Sequence, residues 1–260
     1  MVLAIACGNT HTTVGCVDEN RNVSSVFHIP TDPVESEFGY AAKIGQIFAL
    51  CGVDSTDFEG AILSCVVPAL TDTFVRTVKL LTGLTCITVG AGVKTGLPLC
   101  INDPGTVASD LVCAAVAAKE LYPLPCIAID TGTAITLTVV DARGRYVGGV
   151  IMPGIELATE ALSEKTALLP HIDLQAPRRA IGTCTVDCMK AGAVFGMAGA
   201  VDALLDRISE ELQADKYSIV ATGRMSDLLA EHCRHDILCE ETLLLKGLRI
   251  IWDRNRAEKK

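Results

Sequence analysis

The chain repeats itself. The stretch LAIACGNTHTTVGCVDENRNVSS from Leu3 resembles IAIDTGTAITLTVVDARGRYVGG from Ile127 in both residues and order. Each copy reads as an apolar strand, a Gly-centred turn, an alternating strand, a polar turn (DENRN or DARGR) and a third strand. Laid side by side, Gly8 aligns with Gly132 and Thr12 with Thr136. A weaker correspondence joins GAILSCVVPALTDTF around Ser64 to SIVATGRMSDLL around Thr222; both are β-branched strands that enter a small polar turn and then a helix. Helical stretches fill intervals between the strands: Glu35 to Cys51, Leu70 to Thr82, Ser109 to Leu121, Thr185 to Leu212 and Ser226 to His232. A plan used twice predicts two similar α/β domains, 1–122 and 123–260, divided near the helix-breaking YPLP at Tyr122 to Pro125. Strand ends facing each other across a cleft would then gather backbone N–H groups, with Gly8 to Thr10 and Gly132 to Ala134 gripping a nucleotide's phosphates from opposite sides.

Composition narrows the partners. With 260 residues, 50% of them hydrophobic and 20% charged, the chain can bury a large core and is not a disordered one. A net charge of −9 gives no general attraction to nucleic acid. Met1 leads straight into a β-type run, and no apolar segment of about 18 residues is free of charges and turn formers, so the expected home is the cytoplasm, with no membrane partner. The 12 cysteines are scattered singly, without a CxxC pair, and are expected to act mostly as small buried hydrophobes. The cluster HCRHDILC, from His232, matches no standard zinc spacing.

Two motifs carry most of the chemistry. In DTGTA, Asp130 ends an apolar strand where a carboxylate can hold a cation, Gly132 lets the turn approach a phosphate, and Thr133 offers a hydroxyl and an N–H. The plain alternative is a hairpin turn in which Asp130 bonds the backbone; the repeat favours the functional reading. The alignment puts Ala6 where the second copy has Asp130, so the first turn keeps Asn9 and Thr10 as donors but lacks the charge that organises a divalent cation. ASDLVCAAVAAKEL starts a helix, with Ser109 a candidate N-cap. Asp110 in its first turn is either a partner for the helix dipole or a general base taking a proton from a substrate hydroxyl. GGVIMPG, Gly148 to Gly154, brings backbone close to a ligand or a neighbour. The helix after Gly182, capped by Thr183 or Thr185, carries Gly192, Gly196 and Gly199 on nearly one face, where a helix of this chain or of a dimer partner can approach.

Taken in order, GNT, SD before an Ala-rich helix, DTGTA, GGVIMPG, TALLP, IGTCT and ATG resemble the motifs of the type III pantothenate kinases over essentially the whole chain. The resemblance implies the actin-like ATPase fold, two ribonuclease-H-like domains with a cleft between them, and a homodimer whose interface helps form the site. It also implies ATP-dependent phosphorylation of pantothenate, the first step of coenzyme A synthesis, with Mg2+ and a monovalent cation, K+ or NH4+. By that resemblance Asp110 looks like the general base, Asp130 the monovalent-cation ligand and Thr133 an ATP contact. Ala108, Ser109, Asp110, Leu111 and Thr185 fall on the substrate side, and the ATP phosphate loop is Ala6, Cys7, Gly8, Asn9, Thr10, His11, Thr12 and Thr13. The chain departs from the family pattern at Ala6 (an Asp in the family), at Ala108 and Leu111 (the Gly and Arg of GADR), at Ile101 (a Tyr) and at Arg224 (the last Gly of ATGG). Loss of a metal-side carboxylate and of a substrate-gripping Arg predicts weakened catalysis. Three readings stand at this point: a weakened kinase, a non-catalytic nucleotide-binding or regulatory relative, and a kinase for a more apolar small substrate.

Overall fold

The repeated stretches become two five-stranded sheets with the same connectivity. The computed structural model describes residues 1–256, which form two units, Met1–Glu120 joined by the segment from Thr242, and Leu121–Glu241.

In the first unit β1 (Val2–Cys7), β2 (His11–Val17), β3 (Val23–Pro30), β4 (Gly60–Cys65) and β5 (Cys86–Thr88) lie in the order β3-β2-β1-β4-β5. β1 pairs antiparallel with β2 and parallel with β4. All six residues of β1 are buried, as expected of a central strand covered on both faces. Side chains alternate across a strand, so Leu3, Ile5 and Cys7 share one face. They join a core with Tyr40, Ile44 and Phe48 of α1 (Glu37–Cys51) and Phe74 and Val78 of α2 (Thr71–Thr82). α3 (Ser109–Leu121) buries Val112 through Ala118 without a break.

The two units divide between Glu120 and Leu121, and the C-terminal stretch does not continue the second. The last helix, α8 (Leu243–Arg256), groups with the first unit and packs on β1, β2 and β4. The cause is its composition. Leu243, Leu245, Leu248, Ile250, Ile251 and Trp252 are all buried, and Gly60 at the start of β4 leaves the gap that the Trp252 ring fills, since a Cβ there would stand 2.3 Å from the ring. Arg249, 2% exposed, keeps its charge satisfied through Val17 O at 3.1 Å and the Asp253 carboxylate at 3.0 Å.

The second unit repeats the plan as β10-β9-β6-β7-β8, from β6 (Cys126–Thr131), β7 (Ala134–Val140), β8 (Tyr146–Pro153), β9 (Ser218–Thr222) and β10 (Leu238–Cys239). Its helices are α4 (Ile155–Lys165), α5 (Thr185–Ala191), α6 (Met197–Leu212) and α7 (Ser226–His232). A single π turn, Gly192–Gly196, joins α5 to α6 into one helical run. That run is long and apolar enough to cross a membrane by length and composition. Ala198, Val201, Leu205 and Ile208 nevertheless pack in one cluster with Ile127, Ile129, Ile135 and Leu137 of the sheet, which is how a core helix behaves. No neighbouring element comes within 4 Å of where a Cβ would stand on Gly192, Gly196 or Gly199.

Two local expectations fail. The helix cap position before Thr185 is Cys184, without a side-chain cap bond, so neither Thr183 nor Thr185 caps. Of the 12 cysteines, all free, only Cys7, Cys16, Cys113 and Cys126 are buried, because several others sit at helix ends and in loops rather than on sheet interiors.

Candidate active site

In the first unit the turn Gly8-Asn9-Thr10 closes the β1–β2 hairpin. The Gly8 N–H donates to His11 O at 3.0 Å, and the Thr31 N–H donates to Thr10 O at 2.9 Å. A Cβ on Gly8 would lie 2.9 Å from the His11 carbonyl oxygen, so the turn's own backbone requires glycine. Beneath it Thr12 Oγ1 and Thr31 Oγ1 share a 2.9 Å hydrogen bond, and Thr13 Oγ1 meets His28 Nδ1 at 2.9 Å.

Ala6 has Thr13 and Ser64 as its register partners. Ser64 Oγ and Ser109 Oγ are 2.8 Å apart, which ties the start of α3 to the end of β4. That bond sets Ser109 beside the register partner of Ala6, with Asp110 next to it in sequence. Ser109 does not cap α3: the Val112 N–H donates to Ala108 O at 3.2 Å, and the Ser109 hydroxyl is turned to Ser64 instead. Asp110 is half-buried, and burial pushes its carboxyl above the ordinary aspartate range. The Leu111 N–H, donating to Asp110 Oδ1 at 2.7 Å, pulls the other way and does not offset it. A carboxylate with raised proton affinity in the first turn of a helix is suited to taking a proton from a hydroxyl.

In the second unit the matching turn is one residue shorter. β6 ends at Thr131 and β7 begins at Ala134, leaving only Gly132 and Thr133 between them. Asp130 therefore faces Thr136, and the positional counterpart of Thr136 is Thr13 rather than Thr12. On the other side Asp130 aligns with Thr222. Thr131 Oγ1 donates to Thr222 O at 2.9 Å and accepts the Met225 N–H at 3.2 Å, which pins ATG to DTG. Gly223, at φ 94°, fits there because a Cβ would stand 2.9 Å from Asp130 Oδ1 and from Thr131 N.

GGVIMPG ends on the same turn. The Gly154 N–H donates to Thr133 O at 2.9 Å, and a Cβ on Gly154 would lie 2.3 Å from Gly132 O. Gly132 differs from both: a Cβ there meets nothing nearer than 3.7 Å. A methyl there would make ordinary contacts, so the fold does not demand that glycine, which is itself exposed. Thr136 Oγ1 is buried without a hydrogen-bond partner among the described residues. Near ATGR a recess of ≈ 370 Å³ is lined by Glu156, Ser163, His171, Arg224 and Met225, with Arg224 Nη2 3.4 Å from Glu156 Oε1. Thr185 is exposed in the first turn of α5.

Among the described residues no three His, Cys, Asp or Glu side chains cluster as a metal cage. The donors at the second turn are hard oxygens instead, the Asp130 carboxylate and the orphaned Thr136 hydroxyl. Hard oxygens are the donor type that hard cations take. Ser64 and Thr136 escaped the sequence reading of the site; only strand register reveals them.

Duplicated sheets with glycine turns at matching strand ends define a protein of the actin-like ATPase and sugar kinase fold. A glucokinase of the ROK family from Streptomyces griseus, solved with glucose and AMPPNP, is similar at TM-score 0.54 and 14% identity, covering 98% of this chain and 99% of its own. The activator of 2-hydroxyisocaproyl-CoA dehydratase from Clostridium difficile, solved with ADPNP, is similar at TM-score 0.58 and 12% identity, covering 100% and 98%. The model of the type III pantothenate kinase family matches residues 2–207. The type III pantothenate kinase of Shouchella clausii is 37% identical over 256 residues, 98% of this chain and 100% of the relative. The chain belongs to the type III pantothenate kinase family.

Proposed function

We propose that the chain transfers the γ-phosphoryl group of ATP to the primary hydroxyl of pantothenate, at a rate held down by the missing acid at position 6. The observation that carries this reading is Asp110, half-buried, raised in proton affinity and tied through Ser109 and Ser64 to the strand that bears the glycine turn. Asp110 takes the hydroxyl proton as the substrate oxygen bonds to the γ-phosphorus, and the bond to the bridging oxygen breaks to release ADP. In the first unit Gly8, Asn9 and Thr10 hold phosphate oxygens through backbone and side-chain donors, and in the second Thr133 is an ATP contact by the family resemblance. The recess beside Arg224 takes the nucleoside.

Asp130 and Thr136 hold the cation, K+ or NH4+. Bound Mg2+ supplies charge neutralisation on the phosphates, and with Ala6 in place of a carboxylate this chain offers it less. Leu111 and Thr185 line the substrate side, and the working form is a homodimer, as the family resemblance implies.

Pantothenate-dependent ADP formation by the purified protein with Mg2+ and K+ tests the reading. Asp110→Asn is expected to lower kcat by about 10²–10⁴. An unchanged rate in that variant removes Asp110 as the base. Absence of turnover in the parent protein, with tight ATP binding by calorimetry, overturns the kinase reading in favour of a nucleotide-binding role, which the loss of both the position-6 acid and the Arg at Leu111 favours.

A further inference from the structure

We propose that Cys7 and Cys65 form a peroxide-sensitive thiol pair whose oxidation to a disulfide locks the first glycine turn. The inference rests on the phosphate-binding reading of that turn for its functional consequence, but not for the chemistry of the pair. Cys7 and Cys65 are the last residues of adjacent parallel strands and are register partners, a spacing at which Cα atoms lie within reach of a disulfide. Both side chains fall on the sheet face toward α1 and α2, and they are hydrogen-bonded to each other. No other pair among the 12 free cysteines occupies partner positions in the strand registers.

The two thiols differ in a way that gives them distinct roles. Cys7 is 2% exposed, while Cys65 is half-buried and reachable from solvent. The hydrogen bond between the two sulfurs holds the Cys65 thiol below and the Cys7 thiol above the ordinary range. Thr71, at the start of α2, adds a further hydrogen bond to Cys65 in the same direction. Cys65 is thus the attacking thiolate and Cys7 the resolving thiol.

The Cys65 thiolate attacks one oxygen of a hydroperoxide and breaks the O–O bond; a sulfenic acid forms, and the departing hydroxide takes up from solvent the proton Cys65 had released, leaving as water when the oxidant is hydrogen peroxide. The Cys7 sulfur then attacks the sulfenic sulfur, its proton leaves with the hydroxyl as a second water, and the S–S bond forms. Two thiols are oxidised by two electrons and one peroxide is reduced. The consequence is local. Cys7 precedes Gly8 directly and its carbonyl accepts the Val66 N–H at 3.0 Å, so the new bond joins the phosphate turn to the segment that leads into α2. In the reduced state the Cys7 S–H donates weakly to Gly8 O at 3.9 Å and the Cys65 S–H donates to Val67 O at 3.1 Å, two contacts the disulfide removes.

The purified full chain is treated with graded hydrogen peroxide, then mapped by peptide mass spectrometry, with hydrogen exchange of residues 8–13 and ATP titration measured before and after reduction. The expected result is a Cys7–Cys65 cross-linked peptide lighter by about 2 Da, slower exchange in the turn, and ATP affinity lowered about tenfold and restored by dithiothreitol. Cys65→Ala should keep reduced-state ATP binding and lose all three responses. A map in which other cysteines oxidise while Cys7 and Cys65 remain thiols overturns the proposal, as does a cross-link that changes neither exchange nor affinity. If the reduced chain binds no ATP, the kinase reading fails, and the cross-link and exchange data still decide the thiol pair.

Discussion

The two hairpin turns were built from one plan and now differ in what each can lose. In the first, Gly8 is demanded by its own His11 carbonyl, so the turn keeps its shape whatever it binds, and position 6 carries no acid. In the second, Asp130 is present, but Gly132 is not demanded by anything among the described residues. Folding alone therefore preserves the first turn, whereas the open side of the second has meaning only for something that approaches it. A motif whose glycine is a folding requirement says little about activity; one whose glycine the fold could spare says more.

The largest test of that contrast exchanges the acids. Asp130→Ala is expected to lower phosphoryl transfer by about 10²–10³, while Ala6→Asp raises it, with Leu111→Arg adding to the gain. Steady-state kinetics on both variants reads the outcome, and no gain from Ala6→Asp would mean that the first turn has lost more than a charge. Next come the glycines. Gly154→Ala drives a methyl into two backbone carbonyls and should cost about 2–4 kcal/mol in denaturant titrations, Gly8→Ala about 1–2, and Gly132→Ala under about 1 kcal/mol while weakening nucleotide binding. Equal losses at Gly132 and Gly154 would erase the distinction between the turns.

The smallest effect concerns Asp110. Its folded proton affinity is raised, so the stability it contributes is fully present below the unfolded aspartate value of about 3.9 and is lost as pH rises through the folded value. Asp110→Asn should melt higher than the parent at pH 7, with the gap closing toward pH 3. A gap that instead widens in acid would mean that the carboxylate is stabilised in the fold.

The internal repeat made both sheets legible, because strand, turn and strand are local patterns. It could not reveal the missing residue in the second turn, since a gapless alignment matches Thr12 to Thr136, and only strand register sets Thr13 there. Ser64 and Cys65 lie 58 positions from their β1 partners, Ala6 and Cys7, and parallel pairing leaves no short-range signature. The C-terminal helix was unreadable for a related reason. LLLKGLRIIW announces that a helix must be buried, but not which of two similar sheets has the gap at Gly60 to receive it.

That returning helix sets an order of events during synthesis. The ribosome delivers β1 long before α8, so one face of the first sheet waits uncovered while the whole of Leu121–Glu241, a contiguous segment with its own core, emerges and can fold. The unit that carries Asp110 is the earlier one made and the later one finished. A nascent chain stalled before residue 242 would hold a completed second unit and a first whose glycine turn rests on a half-covered sheet.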